Sequence, residues 1–124
     1  MELSHNSSKN SELPLYKQVR EYTQMFFEYV KDVPKLYRYA LVEKVCDQLV
    51  EMLSFIYLAT MTGDKVEKRQ YLLLSKQLMA KAIIEVRLLH DLGALGNKQF
   101  ILLAQKSDEI SRQLFRWNES CQSS

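Results

Sequence analysis

Two histidines, two cysteines and one row of acids are the residues of this 124-residue chain whose types could do chemistry. His5 stands in a Ser- and Asn-rich N-terminal stretch, so a Cys-His or Ser-His-Asp arrangement would have to form around His90. Asp91 is beside it, but successive helical residues do not face each other, and a histidine near a helix end suits the dipole without any catalytic role. Di-metal bundles need a Glu-x-x-His pair on each of two helices, and Arg87 rather than a glutamate stands three residues before His90. Cys46 falls in an apolar helical stretch and Cys121 in a polar end, the pattern of reduced cytosolic thiols rather than of a disulfide or metal framework. The three glycines occur singly at expected helix ends, so no phosphate loop is present. The chain is therefore expected to have no catalytic residues, no metal and no cofactor.

Glu43, Asp47 and Glu51 follow one another at four-residue steps, which lines them along one helix face. With Lys44 beside them, they read as a solvated or subunit-facing stripe rather than a metal site. The net charge of +2 hides an asymmetry: from Lys65 to Arg116, ten basic residues stand against five acids. Such a surface suits a phosphate backbone, or equally an ordinary solvated face of mixed charge. Most aromatic residues fall on apolar seams and belong to the core; Tyr39, Phe55 and Tyr57 are the expected exceptions.

The elements that must position these groups are helices. A hydrophobic fraction of 47% with three Gly and two Pro is too apolar for a disordered chain and too poor in turn residues for a sandwich or barrel. Residues 1–13 have nothing to bury and are expected to be a disordered tail. From Pro14, the residues Leu15, Val19, Tyr22, Phe26, Tyr29 and Val33 recur at helical spacing, and Pro34 stops the helix. A second helix is expected over 36–61, with Tyr37, Leu41, Val45, Leu49, Met52, Ile56 and Ala59 inward. Val42, Val50, Leu53, Phe55, Tyr57 and Leu58 lie off that seam, which predicts contact with two neighbours or with another subunit.

Asp64 and Glu67 read as a capping box opening a third helix, with Tyr71, Leu74, Leu78, Ala82, Val86 and Leu89 inward and Gly93 at its end. After a tight reversal, Asn97 is the expected cap of a fourth helix carrying Phe100, Leu103, Ser107, Ile110, Leu114 and Trp117, with 119–124 a polar tail. The fold class is all-α: an antiparallel up-down-up-down four-helix bundle over 14–118. The N-terminus lacks a basic start and an apolar run, and the apolar stretches are broken by charge, so a soluble cytoplasmic protein without a membrane partner is expected.

The stretches VPKLYRYAL, EVRLLHDLGAL, NKQF and SDEISRQLFRW resemble the small bacterial four-helix-bundle proteins encoded in intervening sequences of 23S ribosomal RNA genes. The resemblance is closer to a second branch, the accessory variability determinant of diversity-generating retroelements, and covers about residues 14–118. It implies a barrel-like homopentamer with a basic surface that binds a reverse transcriptase and RNA or DNA and supports mutagenic retrohoming. Lys35, Arg38, Lys44, Lys81, Arg87 and Arg112 match the family's basic pattern and would be the nucleic-acid contacts. Ile83 departs from it where a basic residue is frequent, and Phe115 and Arg116 replace small residues before Trp117. The intervening-sequence branch implies instead a structural homo-oligomer without a dedicated polymerase partner.

Overall fold

Apolar residues at alternating spacings of three and four give each helix one face that water disfavours, and the chain buries those faces against each other. The structure, a computed structural model, describes residues 12–122, so the expected tail falls outside it as far as residue 11. Helix α1 spans Glu12–Val30. Helix α2 runs continuously over 35–61, as α-helical Lys35–Tyr37, a π-helical turn Arg38–Val42 and α-helical Glu43–Met61. Helices α3, Lys65–Asp91, and α4, Asn97–Gln122, complete a helical bundle. Each helix packs on two neighbours in the ring α1–α2–α3–α4–α1. Pairings run in opposite chain directions, Phe55 on Tyr71 between α2 and α3, Arg87 on Phe100 and Lys76 on Phe115 between α3 and α4.

Pro14 is the third residue of α1, inside the first turn where its missing N–H costs nothing. The α1 seam forms as expected, with Val30 buried more fully than the half-buried Tyr29. Pro34 separates α1 from α2 and caps α2 through its carbonyl, which accepts from Tyr37 and Arg38 at 3.1 Å each. In the π-helical turn the Glu43 N–H reaches back five residues to the Arg38 carbonyl. That wider turn shifts the inward register by one, so Val42 is buried while the expected Tyr37 and Leu41 are only half-buried.

The first half of α3 differs from expectation in the same way. Leu72, Ser75 and Met79 are buried, whereas Leu74 is exposed and Tyr71 and Leu78 are half-buried. The run YLLLSKQLM offers helical spacing in two adjacent registers, and the one adopted places a serine inward. Burying it is tolerable because the Ser75 hydroxyl donates to the Tyr71 carbonyl at 2.9 Å. The other buried hydroxyls behave alike: Thr23 donates to Val19, Thr60 to Tyr57 and Ser107 to Ala104.

The ends of α3 are set by local hydrogen bonding. Asp64 caps it, its carboxylate accepting from the Val66 N–H at 3.0 Å. The reciprocal half of the expected box is absent, because Glu67 accepts from the Thr62 hydroxyl and the Asp64 N–H donates to that hydroxyl oxygen. At the other end the Gly93 N–H meets the His90 carbonyl at 3.0 Å and the Ala94 N–H meets Leu89 at 2.8 Å, with Gly93 at φ 83°. This Schellman pairing needs a left-handed residue, which explains the glycine. Gly96, not Asn97, caps α4: its carbonyl accepts from the Phe100 N–H, and its N–H donates to the Gln99 side chain. Helix α4 continues through the expected tail to Gln122, with Cys121 buried, because Cys121 prolongs the seam of Leu114 and Trp117 at helical spacing.

The α3 register has a direct test. Leu72→Ala should cost about 2–5 kcal/mol, as for a core leucine, and Leu74→Ala less than about 1 kcal/mol, measured by urea unfolding. Equal costs would show the register to be wrong.

Candidate interaction surfaces

The one residue that could have centred a nucleophilic site is used structurally. His90 Nε2 meets Asn97 Oδ1 at 2.6 Å, and its ring stacks on Phe100 with centroids 4.3 Å apart. The Asp91 carboxylate approaches Nδ1 only to 3.8 Å, beyond hydrogen-bond reach. His90 thus fastens the end of α3 to the start of α4, and that contact employs the residue expected as a cap. His5 lies outside the described residues. Among the described residues, no group of three or more His, Cys, Asp or Glu side chains is placed to hold a metal ion. The cleft between α3 and α4, lined by Tyr22, Ile83, Arg87, Phe100 and Ser111 among others, measures about 210 Å³. That is smaller than the range of roughly 300–1,000 Å³ usual for ligand pockets.

Burial pushes the Cys46 thiol up to about 11, helped by the charges of Asp47 and Glu43. Cys121 is also unpaired in a disulfide, and is buried. Burial likewise raises the Tyr22 phenol. Glu21 is held below the ordinary carboxylate range chiefly by its hydrogen bond from Lys106 Nζ at 2.7 Å, which ties α1 to α4. A second polar tie joins α2 to α3, where Gln48 Nε2 donates to Glu85 at 3.2 Å.

All six expected nucleic-acid contacts are exposed, but they do not form one patch. Lys35, Arg38 and Lys44 lie in the first third of α2. The Arg38 guanidinium donates to the Val33 carbonyl at 3.2 Å, bracing the π-helical turn against the preceding connector. Arg112 pairs with Asp108 one turn earlier on α4. Arg87 lies over the Phe100 ring, 5.6 Å from its centroid, on the α4 side of α3. Lys81 is about 120° away around α3, on the α2 side. Lys35, Lys44 and Lys81 make no ion pair among the described residues.

Two further cations line the α3–α4 side. Lys76 stands 6.0 Å from the Phe115 ring, and Arg69 borders a depression of about 330 Å³ with Val66, Gln70, Leu73 and Asn118. Their seven-residue spacing was the available signal, since it places both on one helix face. On the opposite side of the bundle, Tyr16, Val50, Leu53, Ser54, Tyr57 and Leu58 border an open apolar groove of about 570 Å³ between α1 and α2. Of the expected unburied aromatics, Tyr39 is 62% exposed, whereas Phe55 stacks on Tyr71 with centroids 6.1 Å apart. Among the described residues no helix is long and apolar enough to cross a membrane.

No protein-family model matches the chain, and no curated protein matches it.

The raised Cys46 value makes a prediction about reactivity. At pH 8 the native thiol should hold about a hundredfold less thiolate than one at its ordinary 9.0. Alkylation of a Cys121→Ser variant by iodoacetamide should therefore be slow when native and fast in urea, read by mass spectrometry.

Proposed function

We propose that this protein is a non-enzymatic, cytoplasmic accessory subunit of a diversity-generating retroelement. In this reading a homo-oligomer of the bundle, a barrel-like pentamer, holds a reverse transcriptase and RNA or DNA during mutagenic copying. The observation that carries the reading is the set of four family-like stretches along the bundle, together with the excess of basic residues in its second hairpin. Their places in the fold are consistent with a binding subunit. EVRLLHDLGAL forms the end of α3 and its Schellman turn, SDEISRQLFRW presents Arg112 outward, and Lys81 and Arg87 are exposed without an ion pair among the described residues.

Phosphate contacts from such residues position a nucleic acid without reading its sequence. Three contacts, from Lys81, Arg87 and Arg112, correspond to a loss of affinity of roughly 20–40-fold between 50 and 200 mM salt. The separation of these residues around the bundle suits an assembly in which several copies share one strand or duplex.

A second reading is a structural homo-oligomer of the intervening-sequence type, with no dedicated polymerase partner. It is favoured by the internal engagement of Arg38 with a backbone carbonyl and of Arg112 with Asp108, and by the small net charge.

Inspection of the neighbouring genes for a reverse transcriptase, followed by co-purification with it, with and without nuclease, separates the two. The accessory reading expects a complex that survives nuclease and nucleic-acid binding that weakens steeply with salt. Charge reversal at Lys81, Arg87 and Arg112 should abolish copying while the oligomer persists. Absence of any complex, together with binding indifferent to salt, would leave the structural reading.

A further inference from the structure

Two faces of the bundle carry apolar side chains that none of its own helices covers, and their charges are opposite. On α2, Glu43, Asp47 and Glu51 lie on the side away from the core, and none of them is in an ion pair among the described residues. The same face continues into Val50, Leu58 and Met61, which are 52%, 40% and 56% exposed. Lys44, seven residues before Glu51, stands on the same side of α2, so this face carries three acids against one base.

The second face lies where α3 meets α4. Arg69 and Lys76 stand on it one above the other, without a carboxylate partner among the described residues. Around them Val66, Leu73 and Phe115 are each more than half exposed, and the depression beside Arg69 has room for an apolar side chain. Asp108, further along α4, is already engaged by Arg112.

We infer that these two faces bind each other between copies of the chain. The acidic, apolar face of α2 on one protomer docks on the basic, apolar α3–α4 face of the next. The spacings agree: Glu43 and Glu51 are eight residues apart, about 12 Å along α2, and Arg69 and Lys76 seven residues apart, about 10 Å along α3. Each face alone is an exposed apolar patch edged by charge, and docking would bury both patches and pair both charge rows. One protomer's α2 face cannot reach its own α3–α4 face, because the two point outward on different sides of the bundle. The contact is therefore heterologous, and successive copies form a ring if the rotation closes.

This inference rests on the proposed self-assembly and names its interface. Arg87, higher on α3, stays outside the interface and remains available to phosphate.

The test is a charge swap read by light scattering. E43K/E51K and R69E/K76E should each leave a folded monomer, since each places like charges in the contact. The single chain carrying all four substitutions should assemble again, because its two faces are complementary once more. Assembly of the wild type that neither reversal disturbs would overturn this interface and leave the accessory reading standing. A wild type that stays monomeric, or a folded four-substitution chain that does, overturns it as well. Failure of the assembled wild type to co-purify with the polymerase would instead count against the accessory reading alone.

Discussion

Every helix of the bundle depends on burying one apolar stripe against two neighbours, because a single amphipathic helix of this length has no other large source of stability in water. The stripes are closed to polar cross-links. Where a hydroxyl enters them, at Thr23, Thr60, Ser75 and Ser107, it donates to a carbonyl of its own helix. None of these four hydroxyls therefore demands a particular partner on another helix, and the packing of apolar side chains chiefly sets how the helices meet. Among the described residues, polar ties between helices lie at the margins, in Gln48–Glu85, Lys106–Glu21 and His90–Asn97.

That division of labour leaves the outer surface free for binding. The α3–α4 turn illustrates it, since His90, Asn97 and Phe100 form one packed cluster whose job is to fix the reversal. Arg87 then lies over the outer edge of that cluster, so its position is determined by the turn although its charge faces solvent. Similarly, the π-helical turn at the start of α2 is braced by Arg38, which spends a family-like basic residue on holding backbone. Charge placement in this protein is thus partly structural, and a basic residue's type does not by itself indicate a phosphate contact.

The two uncovered faces follow from the same geometry. A four-helix ring uses about half the circumference of each helix, and α2 and α3 carry more apolar surface than that. The surplus on α2 runs from the α1 side, where Tyr16, Val50 and Leu58 border a groove, to the outer side, where Val50, Leu58 and Met61 continue the face of the acids. Helix α3 has its surplus at Val66, Leu73 and Ile84. Surplus of this kind is costly to leave in water, and opposite charges beside it give the two faces a means of recognising each other.

Much of this could be read from residue spacing, because a helix converts a three-four spacing directly into a face. The four helices, the role of Pro34, the Gly93 turn and the whole α4 seam from Leu103 to Trp117 were legible for that reason. The basic second hairpin was legible as composition. Spacing failed where two registers were equally apolar, as in YLLLSKQLM, or where a wider turn inserted a residue, as between Tyr37 and Val42; there the packing of neighbouring helices chose. It also failed for hydrogen bonds with competing partners, so that Glu67 bonds Thr62 and Asn97 bonds His90 rather than serving as caps. Which cations share a surface was likewise decided only in three dimensions, since Lys81 and Arg87 sit on one helix yet face different sides, while Arg69 and Lys76 gain their surroundings from α4.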